Sequence, residues 1–166
     1  MKINDKVALV TGSSRGIGAA IARLFAQHGA KVAVHGRDTA ALAAVRAGIE
    51  RAGGTAMPVV ADVTRFAEIE AMRHEVEREF GPIEILVANA GGSFTMPGPL
   101  EQTSEEGWHT SLDGNLTATF LTIKSILPGM TERKAGSSSP SPRRPPAGLT
   151  PNRPFLTPPP KPASRC

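Results

Sequence analysis

Apolar residues along the chain fall into short blocks of two alternating kinds. "KVALVTG" (6–12) is a continuous β-branched and apolar run closed by Gly12, the pattern of a strand buried on both faces. "IGAAIARLFAQHG" (17–29) changes period: Ile17, Ile21, Leu24 and Phe25 recur at helical spacing, and Gly29 supplies a C-terminal cap. "KVAVHG" (31–36) predicts a second strand. "DTAALAAVRAGIERAGG" (38–54) predicts a second helix, capped by Asp38 or Thr39 and closed by a Gly pair. A third strand follows in "TAMPVVAD" (55–62), and a charged amphipathic helix in "FAEIEAMRHEVEREFG" (66–81). "IEILVANAGG" (83–92) predicts a fourth strand. A single longer helix is expected over 103–130, opened by a capping box at Thr103-Ser104-Glu105-Glu106.

Strand and helix alternate four times, which predicts an α/β fold built on a parallel sheet. Right-handed crossovers leave few topologies, and a doubly wound, Rossmann-like order 3-2-1-4 is the natural one. This domain is expected to occupy residues 1–134. From Ala135 to Cys166 the pattern stops: ten of the 32 residues are Pro, with no period of 2 or 3.6. Such a segment cannot bury enough apolar area to offset its ordering entropy, so a disordered tail is expected.

Charge divides at the same place. The tail holds five basic residues (Arg143, Arg144, Arg153, Lys161, Arg165) and no acid. Subtracting these five from 19 Lys and Arg leaves 14 against 15 Asp and Glu, a net −1 for residues 1–134. The overall +4 therefore belongs to the tail, and a nucleic-acid partner is not expected. Cys166 has no second cysteine to pair with, which fits a reducing, cytoplasmic setting. "MKINDKVALV" is too short an apolar run for a signal peptide, and no stretch approaches the length of a membrane helix. The four His (28, 35, 74, 109) lack metal-ligand spacing, and no metal or other function is expected of them.

The strongest local signal is "TGSSRGIG" (11–18), between the first strand and the first helix. Gly12, Gly16 and Gly18 permit a tight turn and a close backbone approach to a pyrophosphate. Ser14, Arg15, Gly16 and Ile17 lead into a helix whose N-terminal N–H groups and partial positive charge suit that anion. A plain structural turn is the alternative, made weaker by the placement after a strand and before a helix.

The spacing G-x-x-x-G-x-G resembles the short-chain dehydrogenase/reductase family. "ADV" (61–63) resembles the family's adenine-contacting turn, which implies contacts from Asp62 and Val63. "NAG" (89–91) is similar to the motif that closes the cofactor cleft, implicating Asn89, Ala90 and Gly91. "GNLTATF" (114–120) resembles the helix in which an Asn serves in the catalytic tetrad, implicating Asn115. The residues leave other readings open: Asp62 as a helix cap, Asn89 as a backbone pin, Asn115 as a solvated helix residue. The resemblance implies a dinucleotide cofactor, a small carbonyl or alcohol substrate such as a 3-oxoacyl thioester, and homo-oligomers.

Cofactor choice turns on charge. An acid ending strand two would bind a ribose 2′-hydroxyl and exclude a 2′-phosphate. Here that strand ends "VAVHGRD", with His35, Gly36 and Arg37 where the ribose should lie and Arg15 in the glycine loop beside it. Two guanidinium groups predict NADP over NAD, with Asp38 falling one residue late.

In the family, a Tyr exchanges the hydroxyl proton and a Lys four residues later lowers its pKa. This sequence has no tyrosine. Reading the tail one base earlier in its codons lets Thr157-Pro158-Pro159-Pro160-Lys161 become Tyr-Ala-Ala-Ala-Lys, and lets "SSPSPRR" (138–144) become Ile-Val-Thr-Val-Ser-Ser-Ser. Codon 144, thirteen before codon 157, is then where the family carries its catalytic Ser. The tail is therefore expected to be a frameshifted catalytic half beginning near Gly136 or Ser137. A true Pro-rich linker, suited to an SH3-type groove, is the alternative. The chain is expected to be truncated relative to the family, inactive as a reductase, and prone to aggregate through an open edge on strand four.

Overall fold

The computed structural model describes residues 3–95 and 98–136. The elements run β1 (Val7–Val10), α1 (Gly16–Gln27), β2 (Lys31–Gly36), α2 (Thr39–Arg51), β3 (Thr55–Val60), α3 (Phe66–Phe80), β4 (Ile85–Val87), a 3-10 turn (Leu100–Gln102), α4 (Glu105–Leu112), a π-helical segment (Asp113–Thr117) and α5 (Ala118–Gly136). The four strands form one parallel sheet in the order β3-β2-β1-β4. Val7 lies opposite Lys31 on one side of β1, and Ala8 lies opposite Ile85 on the other. The expected doubly wound topology is the one observed.

Both faces of the sheet are covered, which is why β1 and β2 read as unbroken apolar runs. On one face Val10, Val32 and Val34 pack with Ala19, Ala22 and Ala26 of α1 and with Leu42, Val45 and Ile49 of α2. On the other, Val7, Leu9 and Ala33 pack with Ile69, Met72 and Val76 of α3 and Ile126 of α5. Ser125 of α5 donates a hydrogen bond to Glu70 of α3, and Arg133 donates to the Ile83 carbonyl, fixing α5 against the edge of the sheet.

Four expectations need correction. The fully buried face of α1 is its small-residue face, Gly18, Ala19, Ala22 and Ala26; of the four residues expected there, Ile21 and Phe25 are partly buried against the core, while Ile17 is 75% and Leu24 50% exposed. The helix lies close enough to the sheet that small side chains fill the gap, and Ile17 is left at the mouth of a cleft. Ser104, not Thr103, caps α4: its hydroxyl accepts from the Gly107 amide at 3.1 Å, so Glu106 is not three residues beyond the cap. The expected single helix over 103–130 is interrupted by the π segment at Asp113–Thr117 and then runs through Pro128 to Gly136. The boundary placed between residues 134 and 135 therefore falls inside α5. Finally, strands three and four are shorter than expected and stop at Val60 and Val87. Beyond Val87 the Asn89 and Ala90 amides turn to the Thr11 hydroxyl instead of a neighbouring strand.

The tail from Ser137 onward, with its expected disorder and its alternative frame, lies outside the described residues. No helix among the described residues is long and apolar enough to cross a membrane.

Candidate functional site

The carboxyl ends of the four strands surround a cleft of about 790 Å³. In a doubly wound sheet this is where helices on opposite faces diverge and leave room for a ligand. Each strand contributes through the loop that follows it.

After β1 the chain turns at Gly12 (φ +65°) and again at Gly16 (φ +57°), left-handed conformations that favour glycine. Gly12 also sits too close to its surroundings for a side chain, since a Cβ there would lie 2.8 Å from the Ala90 Cα. Between the glycines, the buried Ser13 hydroxyl donates to the Val10 carbonyl (2.7 Å) and accepts from the His35 amide (2.8 Å). The Ser13 amide in turn donates to the His35 carbonyl at 2.8 Å. The loop is thus sewn to the end of β2.

It is also sewn to the loop after β4. The Thr11 hydroxyl accepts from the Asn89 and Ala90 amides, each at 3.0 Å. The Asn89 side chain donates to the carbonyls of Thr11 (3.1 Å) and Gly12 (3.2 Å). Asn89 therefore pins backbone while lining the cleft.

The end of β2 supplies His35, Gly36, Arg37 and Asp38 to the cleft wall. His35 is buried, and burial pushes its imidazole below the ordinary 6.5. Asp38 is the cap of α2: its carboxylate accepts from the Ala41 amide at 3.0 Å. Replacing it in the variant Asp38→Ala should cost about 0.5–2 kcal/mol of stability in urea unfolding.

After β3, Asp62 folds back on Thr64, accepting from its amide (2.9 Å) and its hydroxyl (2.7 Å). Those two bonds hold the carboxyl below the usual range, with Arg37 and Arg65 assisting. Glu68 accepts the Asp62 amide at 2.8 Å, and the cap position of α3 belongs to Arg65. Asp62 shapes the turn and does not cap the helix.

Twelve of the thirteen residues singled out from sequence line this one cleft: Gly12, Ser14, Arg15, Gly16, Ile17 and Gly18 from the first loop, Arg37 from the second, Asp62 and Val63 from the third, and Asn89, Ala90 and Gly91 from the fourth. Asn115 is exposed and does not line the cleft, although its neighbour Gly114 does. Its amide is fully engaged: Oδ1 accepts from the Gly92 amide (3.0 Å), and Nδ2 donates to the carbonyls of Gly92 (3.0 Å) and Ser111 (2.8 Å). It clamps the loop after β4 onto the π segment, so it is not a freely solvated helix residue.

Sequence reading placed His35 beside Arg37 at the ribose end of strand two and Thr11 and Ser13 in the glycine loop, but gave none of the three a role of its own. In the structure His35 lines the cleft, while the buried Thr11 and Ser13 tie together the loops around it. Those bonds join groups far apart in the chain and leave no local signal.

Anion binding is the chemistry this arrangement can perform. Helix α2 is capped by Asp38, α4 by Ser104, and α3 carries Glu68 in its first turn. Helix α1 has neither a side-chain cap nor an acid in its first turn. Its leading amides have no intrahelical acceptor, and Gly16, Ile17 and Gly18 face the cleft. A Cβ at Gly16 would meet no atom within 4 Å, so the space above the turn is open to a ligand. Arg15 and Arg37, both exposed, add two cations to the same wall. These residues fit a dinucleotide with a pyrophosphate at α1 and a further negative group near Arg37.

Comparison with known proteins agrees with this geometry. The sequence profile of the short chain dehydrogenase family matches residues 6–138. An uncharacterized oxidoreductase of Staphylococcus saprophyticus is 35% identical over 137 residues, covering 82% of this chain and 58% of that protein. The 3-oxoacyl-[acyl-carrier-protein] reductase FabG of Vibrio cholerae is 40% identical over 136 residues, covering 82% of this chain and 54% of the reductase. A crystal structure of a metagenomic short-chain oxidoreductase in complex with NADP superposes with a TM-score of 0.75 at 36% identity, covering 81% of this chain and 60% of that one. The chain spans about half the length of the curated relatives it matches.

Proposed function

We propose that this chain, which belongs to the short-chain dehydrogenase family, binds NADP in the cleft at the strand ends and does not itself reduce carbonyl compounds. The observation that carries the binding half is the uncapped N-terminus of α1 facing the same cleft as Arg15 and Arg37. The α1 amides would hold the pyrophosphate. The two guanidinium groups would pair the 2′-phosphate, and Asp62 and Val63 would flank the adenine. Asn89, Ala90 and Gly91 would close the cleft toward the nicotinamide. When bound, NADP supplies hydride exchange with a carbonyl or alcohol carbon. A neighbour of similar fold is in complex with NADP, which favours the same choice here.

The second half of the reading rests on the absence of tyrosine from the 166 residues. The family profile stops matching at residue 138, beside the point where the alternative frame begins, which supports a frame slip in the gene. The likeness to a 3-oxoacyl thioester reductase makes that substrate class the one to try for a frame-restored chain. The exposed apolar side chains Leu116, Phe120, Ile123 and Leu127 on the π segment and α5 suit self-association, and together with the open edge of β4 they favour aggregation.

Titration calorimetry with the two dinucleotides tests the cofactor assignment. NADP should bind more tightly than NAD, and Arg37→Asp should erase the difference. Losing one charge-assisted partner costs about 1.5–3 kcal/mol, roughly tenfold or more in NADP affinity. Equal binding of both by the unmodified chain would overturn the choice of NADP, and binding of neither would overturn the reading as a whole.

A further inference from the structure

We propose that His35 is a positioning residue that holds the glycine turn of the cleft in shape only in its neutral form, protonated on Nε2. The consequence for cofactor binding rests on the dinucleotide reading above; the consequence for the turn does not. Neighbouring groups of fixed polarity assign the tautomer. The Gly12 amide can only donate, and it points at His35 Nδ1 from 3.1 Å, so Nδ1 must present a lone pair. The Ala61 carbonyl can only accept, and it lies 3.0 Å from Nε2, so Nε2 carries the hydrogen. One buried ring thus joins the turn after β1 to the end of β3, across the end of β2.

The turn cannot move alone. The Gly12 carbonyl accepts from Asn89, and Gly18 of α1 packs against that same carbonyl. A hydrogen on Nδ1 would set two donors face to face and release the Gly12 amide, shifting the turn from which α1 presents its free amides. Charges around the ring do not compensate. Asp62 from the turn after β3 favours the charged imidazole, but its carboxylate is held by Thr64, while Arg37 opposes a second cation. From the first loop Arg15, and from the start of α2 Asp38, face the cleft, and Asp38 is committed to the Ala41 amide. Burial acts against the charged ring as well. The unfolded chain therefore takes up this proton first. The contribution of neutral His35 to stability is complete above its ordinary pKa of 6.5 and declines as the pH falls below it.

The variant His35→Asn isolates the effect, because the Asn amide oxygen can occupy the place of Nδ1 and accept from Gly12 without titrating. Two readouts apply, each followed from pH 8 down to the lowest pH at which the chain stays folded, because burial lowers the ring below its ordinary range. In amide NMR spectra, the Gly12 resonance of the unmodified chain should titrate with the His35 ring, whose nitrogen shifts should report the Nε2-protonated tautomer. The same resonance in His35→Asn should stay flat. In calorimetry, affinity for NAD, which has no 2′-phosphate to titrate, should weaken toward acid pH by up to about tenfold per pH unit. His35→Asn, which keeps an acceptor for Gly12 but has no titrating ring, should lose that slope. His35→Phe, with no acceptor, should bind about tenfold more weakly or worse. A neutral ring protonated on Nδ1, or a pH slope that survives in His35→Asn, overturns the inference. If the unmodified chain binds no dinucleotide at pH 8, the functional reading fails, and the Gly12 resonance still decides the role of His35.

Discussion

NADPH should survive incubation of the 166-residue chain with a 3-oxoacyl thioester at the rate of a blank without protein. The reaction needs a proton delivered to the developing alkoxide as hydride arrives, and a positioned general acid is worth typically 10²–10⁴-fold. In the family that acid is a tyrosine, and this sequence has none. Asn115 cannot stand in for it. Its amide has no acidic proton at neutral pH, and both ends of the side chain are bound to backbone of Gly92 and Ser111. Under the proposed frame slip, a gene with one base restored near codon 136 would encode Tyr-Ala-Ala-Ala-Lys in place of residues 157–161, and its product should turn over. Robust reduction by the chain as it stands, lost on Asn115→Ala, would show that another group supplies the proton. Sequencing the gene across codons 130–140 provides a separate check on the frame.

Gly18→Ala should abolish dinucleotide binding and destabilise the fold by about 1–3 kcal/mol, the usual range for overpacking a tight site. The reason is steric, since Gly18 is not among the glycines with positive φ. A Cβ at this position would collide with the Gly12 carbonyl oxygen and lie 2.6 Å from Asn89 Nδ2. Those two atoms form one of the hydrogen bonds that join the first loop to the fourth. One methyl group would therefore push α1 off the sheet and, in the same movement, separate the first loop from the fourth. Gly53→Ala provides the contrast. Gly53 has φ +80° and no atom within 4 Å of an added Cβ, and it follows α2, away from the cleft. It should lose stability through backbone strain alone, about 1–2 kcal/mol, and keep its affinity. Calorimetry and urea unfolding on the two variants distinguish these outcomes. Unchanged binding by Gly18→Ala would refute the close approach.

The alternation of unbroken apolar runs with helical periods was enough to specify four strands, their helices and the order 3-2-1-4. A parallel sheet buried on both faces leaves that imprint on every strand, and right-handed crossovers remove most other topologies. The glycine loop and Arg37 were legible because they follow strands, and strand ends converge in this architecture; Asp62, Val63, Asn89, Ala90 and Gly91 were implied by the resemblance to the short-chain dehydrogenase/reductase family and line the same cleft. Tertiary structure decided what local periodicity cannot express. Of the four residues that carry the helical period of α1, Ile21 and Phe25 pack against the core but Ile17 and Leu24 do not, and Ala19, Ala22 and Ala26 fill the closest approach, because the separation of helix and sheet selects side-chain size. Thr11 meets Asn89 across 78 positions, and His35 meets Gly12 across 23. Such bonds exist only once the strands have paired, because pairing sets the distance between groups whose spacing along the chain carries no signal.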